Sequence, residues 1–370
     1  MIDASHPFTA LLRDAAIVDV RSPGEFAKGA VFGAVNIPLF SNDERAEIGI
    51  LYRQLGREPA IRRGLATVGG RLSPFVSAFE RFRGQPLVVY CARGGMRSQS
   101  VVALLAALGY SVRQLQGGYK AYRNYLLAEL EHTVPQHLIV IHGETGVGKT
   151  ELLNRLPNAL DLEGAAQHRS SLFGGVNREP RTQQQFEADL LHRLQGLDRS
   201  LPVWIEGESR KVGAVTIPEA LRRAMAGATC VLVTASLETR VTRIIAEYTG
   251  QSDTAGLDAA TLSQLEAALG ALRGFFGAAR TESLLAQLRA GKLRPLVRTL
   301  LEEHYDPRYR HAMRHYTYAL TVSSEDLDAA AKQLAAFGES AEMNNGTAEP
   351  QMTEGPKTTA KPQIAQIGAD

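Results

Sequence analysis

The stretch "H137-L-I-V-I-H-G-E-T-G-V-G-K-T150" decides the fold of the second half of this chain. Residues 138–141 form an apolar run typical of a buried parallel strand. The eight residues after His142 match the pattern G-x-x-x-x-G-K-[ST], and a helical pattern begins at Thr150. A strand, a glycine-rich loop and a helix in this order predict a P-loop domain on a parallel α/β sheet.

Each part of this loop suits phosphate binding. Its glycines let successive backbone N–H groups point at an anion, and the helix N-terminus adds its dipole. We expect Lys149 to reach the outer phosphate, and Thr150 to offer its hydroxyl to Mg²⁺ if that ion binds. The predicted phosphate-binding residues are Gly143, Glu144, Thr145, Gly146, Val147, Gly148, Lys149 and Thr150.

The loop alone does not say which phosphate it holds. A P-loop hydrolase places an acidic residue at the end of a second strand, where it organises Mg²⁺ and water. The segment "W204-I-E-G-E-S-R-K211" supplies Glu206 or Glu208 for that position, whereas the base-reading Asn-Lys motif of GTPases is missing from the sequence. Nucleotide hydrolysis therefore stays open.

The first part of the chain predicts a second parallel sheet. Strand-like runs at 16–20, 86–90 and 112–115 alternate with helical patterns, one of them capped by Ser22 and another running from Ser98, as N-cap, to Gly109. We predict a domain at 8–132, a P-loop domain at 136–335 with a helical insertion at about 258–304, and a polar, disordered tail at 338–370.

A second glycine-rich loop, "Y90-C-A-R-G-G-M-R-S98", follows the apolar run 86–89. The N–H groups of such a turn, with a helix starting at Ser98, favour the thiolate form of Cys91. Arg93 and Arg97 add positive charge that attracts an anionic donor. The loop therefore predicts a nucleophilic cysteine that accepts a sulfur or selenium atom and holds it covalently.

Composition limits the function classes. A formal charge of +2 excludes a polycationic chain, so nucleic-acid binding depends on local patches. Cys91 and Cys230 lie in different contexts, which predicts a reducing cytoplasm rather than a disulfide. No apolar run of membrane-spanning length and no secretory leader pattern occurs in the sequence, so we expect a cytoplasmic protein.

Four segments together resemble the rhodanese domain: "D19-V-R-S-P-G-E-F-A-K-G", "G33-A-V-N-I-P38", "C91-A-R-G-G-M-R-S98" and "L115-Q-G-G-Y119". Ala30 departs from the resemblance, since many rhodanese domains have histidine there, but it lies outside the loop. The resemblance implies that Cys91 carries the transferred atom and that Asp19 and Arg21 are structural. The loop residues implied as its cradle are Arg93, Gly94, Gly95, Met96, Arg97 and Ser98.

A rhodanese domain in front of a P-loop domain is similar to the tRNA 2-selenouridine synthase family. The similarity covers about residues 8–335 and extends to "D161-L-E-G-A-A-Q-H-R-S-S-L-F-G174", "Q184-Q-F-E187", "W204-I-E-G-E-S-R-K-V-G213" and "Y305-D-P-R-Y309". It implies replacement of sulfur by selenium in wobble 2-thiouridine, with selenophosphate as donor and an S-geranylated intermediate made from geranyl diphosphate. No tightly bound cofactor and no resident metal are expected, although Mg²⁺ stays open.

With tRNA as the implied partner, exposed arginines and lysines become candidate phosphate contacts. The candidates are Arg169, Arg178, Arg210 and Lys211. Two other readings stay open at this point: a P-loop kinase or NTPase with a regulatory rhodanese module, and a general sulfurtransferase. It also stays open whether Cys91 carries selenium or whether a selenide attacks the geranylated base directly.

Overall fold

A computed structural model describes residues 15–169, 171, 173–249 and 257–345, with backbone only for 341–345. It contains two parallel sheets, each surrounded by helices, which confirms the predicted mixed α/β class. The first sheet has the order β2-β1-β3-β4, and all its pairs are parallel. Its strands are β1 (Ala16–Asp19), β2 (Val35–Asn36), β3 (Leu87–Tyr90) and β4 (Val112–Gln114).

Six helices and one short 3₁₀ turn, Glu80–Phe82, surround this sheet. The predicted cap at Ser22 is present, and it forms a capping box in which Ser22 and Glu25 bond to each other's backbone N–H groups. The helices are α1 (Pro23–Ala27), α2 (Asn42–Leu55), α3 (Arg57–Gly69), α4 (Leu72–Ser77), α5 (Met96–Ala107) and α6 (Gly118–His132).

The prediction that Ser98 caps α5 is wrong. The helix begins two residues earlier, at Met96, with Gly95 in the cap position. Ser98 is fully buried in the first turn, and its hydroxyl lies 3.1 Å from the Cys91 sulfur and 3.2 Å from the Gly95 carbonyl. The side chain thus serves the cysteine loop rather than the helix end.

The second sheet has the order β11-β10-β5-β7-β6, again with parallel pairs throughout. Its central strand, β5, leads into the glycine-rich loop, as the sequence predicts. A separate antiparallel hairpin, β8–β9, follows β7. The strands are β5 (Leu138–His142), β6 (Ala159–Leu160), β7 (Val203–Glu206), β8 (Lys211–Val212), β9 (Val215–Thr216), β10 (Thr229–Thr234) and β11 (Leu320–Ser323).

The helices of this half form the sheet layers and a separate helical insertion. The insertion holds a buried, leucine-rich core of its own, and a π-helical turn, Leu301–Tyr305, ends it. The helices are α7 (Lys149–Leu153), α8 (Leu162–Ala166), α9 (Gln183–Gly196), α10 (Glu219–Ala226), α11 (Leu237–Thr249), α12 (Ala259–Gly270), α13 (Arg273–Phe276), α14 (Ala278–Arg289), α15 (Leu293–Leu300), α16 (Asp306–Met313) and α17 (Leu327–Asn345).

Helix α17 continues past residue 338, where the sequence predicts the tail to begin. The start of that tail therefore needs correcting, because residues 338–345 extend a helix whose Ala330 and Leu334 pack in the core of the second sheet. Residues 346–370 of the predicted tail lie outside the described residues.

The two halves share one apolar core. Buried residues of the first sheet, of α6 and of the second sheet belong to a single cluster, in which Leu126 of α6 and Phe186 and Leu190 of α9 are members. Helix α6 starts at the end of β4 and delivers the chain to the start of β5. It therefore packs as a structural element of both sheets.

Three consecutive glutamines at the start of α9 connect it to its surroundings, two of them across the two halves. Gln184 Oε1 accepts a hydrogen bond from the Tyr119 hydroxyl of α6 at 3.0 Å. Gln185 Nε2 donates to the Ala27 carbonyl at 3.0 Å. Gln183 pairs with both backbone groups of Thr216 in the hairpin, at 2.7 and 2.8 Å. We call Gln183, Gln184 and Gln185 the glutamine clamp.

Gly118 provides a test of how closely α6 packs against the cysteine loop. An added Cβ at this position would overlap the Cys91 carbonyl oxygen, and its φ is +57°. We expect Gly118→Ala to destabilise the protein by about 3 kcal/mol or more, measured by urea unfolding, because steric overlap adds to left-handed strain.

Gly84→Ala is the matched control, since Gly84 has φ +83° but no atom within 4 Å of an added Cβ. It should cost only about 1–2 kcal/mol, the strain alone. Equal losses in the two variants would show that the contact between α6 and the cysteine loop is not tight.

Candidate functional site

The cysteine loop starts directly at the end of the buried strand β3. Cys91 is 3% exposed, and its sulfur lies next to the Ser98 hydroxyl. Gly94 adopts a φ of +63° and packs against the backbone of Gly117 and Gly118. Only glycine fits such a close approach of two backbones. The carbonyls of Cys91 and Ala92 accept N–H groups from the first turn of α6, at 2.9 and 3.0 Å.

The backbone donors of this loop are free. Within the described part of the chain, no N–H group of residues 92–98 donates to another protein group outside the regular helix ladder. Unsatisfied N–H groups at a glycine turn and a helix N-terminus form an anion site. The loop can therefore hold an anionic donor beside the cysteine sulfur.

The two arginines of the loop have different environments. Arg97 donates to the Glu25 carboxylate at 2.7 Å, whereas Arg93 is exposed and has no ion pair among the described residues. Burial tends to raise the pKa of Glu25, but the hydrogen bonds and charge of Arg97 outweigh burial and lower that pKa to about 2. Arg97 thus braces the loop, and Arg93 is the cation available to an incoming anion.

Glu25 had no role in the sequence-based interpretation. It stands 72 residues from Arg97, and nothing in the local pattern connects the two. By contrast, the structural role of Asp19 and Arg21 is confirmed. Arg21 donates to both oxygens of the buried Asp19 carboxylate and to the Gly29 carbonyl.

The P-loop is held in shape from the helical side. Arg240 of α11 is 2% exposed and donates to the Glu144 carboxylate at 2.7 Å and to the Thr145 carbonyl at 2.8 Å. Its other contacts go to the buried Asp306. Arg243, one turn on, donates to the Val147 carbonyl at 2.9 Å. The Thr145 and Val147 carbonyls are thus occupied by fixed cations, and of the loop's N–H groups that of Val147 donates to the Glu144 carbonyl.

Lys149 lies at the mouth of this loop. Its ammonium group donates to the Gly143 carbonyl at 3.0 Å and lies 5.6 Å from the centre of the Tyr309 ring. Burial and the charge of Lys149 lower the pKa of His142 to about 4, so this histidine stays neutral at physiological pH. The neutral imidazole packs against Tyr316 and Tyr318.

Thr150 contacts one glutamate, which in turn contacts a second. The Thr150 hydroxyl donates to Glu163 at 3.3 Å, and the Glu163 N–H donates to Glu206 at 2.8 Å. Glu206 is buried at the end of β7, and its second oxygen has no hydrogen-bond partner. Burial, together with the charge of Asp161, raises the pKa of Glu206 well above its ordinary value.

Of the two acidic candidates, the structure thus places Glu206 beside the P-loop, while Glu208 is half-buried in the segment that leads to the hairpin. Glu163, which contacts Thr150, was missed by the sequence-based interpretation. Among the described residues, no group of three or more His, Cys, Asp and Glu side chains is arranged to hold a metal ion.

An apolar cavity of about 160 Å³ opens beside the P-loop. Thr145, Gly146, Gly148, Lys149 and Thr150 line its polar end. The remaining wall comes largely from the helical insertion and α11. Its apolar residues are Phe173, Ile244, Ile245, Tyr248, Leu257, Leu265, Leu269, Leu288, Leu293, Leu296, Val297, Leu300, Leu301, Tyr305 and Tyr309.

The four candidate tRNA contacts have different surroundings. Arg169 lines the cavity and pairs with Glu247, so its charge is used inside the protein. Arg178 is half-buried in the loop before α9. Arg210 and Lys211 are exposed at the start of the hairpin, and neither has an ion pair among the described residues. Only these last two are presented openly to a large partner.

Within the described residues, no helix combines the length and the apolar character needed to cross a bilayer.

Comparisons with known proteins give a consistent result. A family model described as the tRNA 2-selenouridine synthase AAA domain matches residues 136–338, and one for the rhodanese-like domain matches residues 7–125. A tRNA 2-selenouridine synthase from Pseudomonas syringae pv. tomato is 38% identical, over 85% of this chain and 93% of its own. One from Hahella chejuensis is 35% identical, over 84% and 89%.

Among solved structures, a crystal structure of the N-terminal domain of a protein described as ATP/GTP-binding, from Clostridium difficile 630, matches 32% of this chain and 95% of its own. The sequence identity is 46% and the TM-score 0.31.

The Glu25–Arg97 pair predicts a pH-dependent contribution to stability. Because the pKa of Glu25 is lowered on folding, the pair stabilises above pH 4.5, and this stability is lost as pH falls from 4.5 towards 2. We expect Glu25→Gln to cost about 1–3 kcal/mol at pH 7 in urea unfolding, and much less at pH 3.

Glu47→Gln is the control, because Glu47 and Arg63 form an exposed ion pair, each side chain 47% exposed. Its cost should stay below about 1 kcal/mol. A Glu25→Gln loss that did not shrink at acid pH would mean that the variant acts through packing rather than through charge.

Proposed function

Because the chain belongs to the tRNA 2-selenouridine synthase family, we propose that it exchanges the sulfur of wobble 2-thiouridine in tRNA for selenium. The chain is a tRNA-modifying enzyme. In the proposed reaction, selenophosphate supplies the selenium, and geranyl diphosphate first converts the thiouridine to its S-geranyl derivative.

One observation carries the geranyl step: the P-loop opens directly into an apolar cavity. A nucleotide base and ribose would need hydrogen-bond partners. The cavity lining has some, including Arg169, Ser171 and Glu247, but 11 of its residues are leucine, isoleucine or valine, which suit a hydrocarbon chain. Burial of each CH₂ gains about 0.8 kcal/mol, so a ten-carbon tail gains on the order of 5 kcal/mol or more. A diphosphate head on the loop and a hydrocarbon tail in the cavity satisfy both ends.

The loop then acts on the leaving group. The thiouridine sulfur attacks C1 of the geranyl chain, the C1–O bond breaks, and diphosphate leaves with the electron pair. The N–H groups of residues 144–150 and the ammonium of Lys149 stabilise the charge that develops on it.

The selenium step belongs to the cysteine loop. We propose that the free N–H groups of residues 92–98 and Arg93 bind the anionic donor, that water cleaves its P–Se bond to give phosphate and hydrogen selenide, and that a small-molecule disulfide takes up two electrons as the selenide joins the Cys91 thiol in an S–Se bond. The selenium then attacks C2 of the base, the C2–S bond breaks and geranylthiolate leaves. Two small thiols reduce the S–Se bond, which restores the Cys91 thiol and the disulfide. In the alternative, a selenide released from the donor attacks C2 directly, and no such bond forms.

Mg²⁺ fits the P-loop in part. Thr150 and Glu163 offer oxygen ligands beside the phosphate site, but burial favours the protonated form of Glu206 and makes it a poor ligand. A bound Mg²⁺ would neutralise charge on the diphosphate.

The decisive experiment incubates the protein with 2-thiouridine-containing tRNA, geranyl diphosphate and selenophosphate, followed by mass spectrometry of the nucleosides. We expect Lys149→Ala to lower geranylation by about 10²–10³-fold. Cys91→Ala should retain geranylation and lose selenation. Cys230→Ala is the control, since this second buried cysteine lies in β10.

The outcomes separate the competing functions. Absence of both geranylated and selenated uridine with the wild-type protein would refute the proposal. Steady ATP or GTP turnover independent of Cys91 would instead favour the kinase or NTPase. Sulfur transfer from thiosulfate that survives Lys149→Ala would favour the general sulfurtransferase. Normal selenation by Cys91→Ala would favour direct attack of selenide.

The cavity also predicts a preference for chain length. Leu288 of α14 lines the cavity and is 4% exposed. Leu288→Ala enlarges the apolar space, so we expect the ratio of farnesyl to geranyl transfer to rise at least several-fold, measured by competition between the two diphosphates.

Leu284→Ala is the matched control on the same helix. Leu284 is fully buried in the same core but does not line the cavity. Both variants should lose about 2–5 kcal/mol of stability, and only Leu288→Ala should change the product ratio. An unchanged ratio in both would place the hydrocarbon chain elsewhere.

A further inference from the structure

The cysteine loop and the P-loop open on the same side of the molecule. Helix α6 begins against the cysteine loop, at the carboxyl edge of the first sheet, through the Tyr119 N–H bond to Cys91. Helix α9 begins near the carboxyl edge of the second sheet, because the Arg181 N–H bonds to the end of α8 at Ala166. Each helix then runs toward the amino edge of its sheet.

The two helices pack in parallel, with their first turns side by side. Tyr119 meets Gln184, and one turn further Arg123 pairs with Glu187. Residue numbers rise together along both helices, so their N-terminal ends coincide. The carboxyl edges of both sheets, where the two loops lie, therefore face the same way.

On this face, short segments of the two domains contact each other between the cysteine loop and the P-loop. The Thr182 hydroxyl donates to the Lys28 carbonyl at 2.8 Å. An added Cβ at Gly29 would lie 2.6 Å from Gln184 and from the Tyr119 hydroxyl. Through Gln183, the hairpin is tied to the same first turn. The path from one loop to the other thus runs over continuous protein.

Exposed cations that form no ion pair within the described part of the chain lie along this path. Arg97, Arg123 and Arg181, which are partly buried here, are each paired with a carboxylate. The exposed cations differ from these three arginines, because none of them has an ion pair among the described residues. Glu179, on the loop that precedes α9, is an exposed acid. These cations are Lys28, Arg93, Lys120, Arg210 and Lys211.

We propose that Lys28, Arg93, Lys120, Arg210 and Lys211 form one RNA-binding face that spans both domains. A single-stranded RNA loop brings closely spaced phosphates that suit such a row of unpaired cations, together with bases that can turn into either loop. The bound tRNA contacts both loops at once, so its target base reaches the second loop without dissociation. This inference rests on the proposed function for its choice of RNA.

Charge reversal tests the face. The variant Lys28→Glu/Lys120→Glu should weaken binding of the 2-thiouridine tRNA at least 10-fold in a filter assay. It should also flatten the dependence of log K on log[salt], since each lost contact removes about 0.7–0.9 from the slope. Both side chains are exposed, so we expect the double variant to fold, and its thermal melting is measured as a check.

The control reverses the same charge at the opposite edges. Arg81 precedes β3 and Arg199 precedes β7, and both are exposed without ion pairs among the described residues. Arg81→Glu/Arg199→Glu should bind tRNA as the wild type does. Equal weakening in this variant would mean a response to net charge alone, and would overturn the face.

A kinetic test addresses the span across domains. Lys28 and Lys120 belong to the cysteine-loop domain, so Lys28→Glu/Lys120→Glu should raise the KM for tRNA in geranylation and leave kcat within about twofold. An unchanged KM would overturn the span. Tight, salt-dependent tRNA binding by a wild-type protein that forms no modified nucleoside would refute the proposed function and leave the face standing.

Discussion

The first turn of α9 is the point on which the arrangement of this molecule depends. The three amides of the glutamine clamp reach a hairpin strand, a helix of the other domain and the end of α1. Amides both donate and accept, so one turn of helix satisfies polar groups on three elements. The apolar cluster beneath it extends through α6 into both sheets. The glutamine clamp and the shared apolar core together fix the relative position of the cysteine loop and the P-loop, which come from separate domains.

Local pattern predicted what depends on local sequence. The strand, loop and helix around Lys149 and the helix cap at Ser22 are present in the structure. Each of these is set by backbone geometry over a few residues. The boundaries of the helices were predicted less well. The sequence predicts Ser98 as a helix cap, whereas its hydroxyl contacts the Cys91 sulfur in the structure.

The features of the site that the sequence did not predict are contacts between residues far apart in the chain. The sequence predicts that Arg97 attracts the donor anion, whereas in the structure Arg97 forms an ion pair with Glu25. Arg240 and Asp306, which shape the P-loop from 66 residues apart, carried no local signal. The cavity was hidden for the same reason, since leucines spaced along α12, α14 and α15 read only as helical cores. Only the packed fold shows that they leave a space beside Lys149.

The burial of Cys91 has a kinetic consequence. Cys91 is 3% exposed, and its sulfur is hydrogen bonded to Ser98, so the residue presents little surface to reagents in solution. Reagents that must collide with the sulfur, such as peroxides and stray electrophiles, therefore react with this thiol more slowly than with an exposed one.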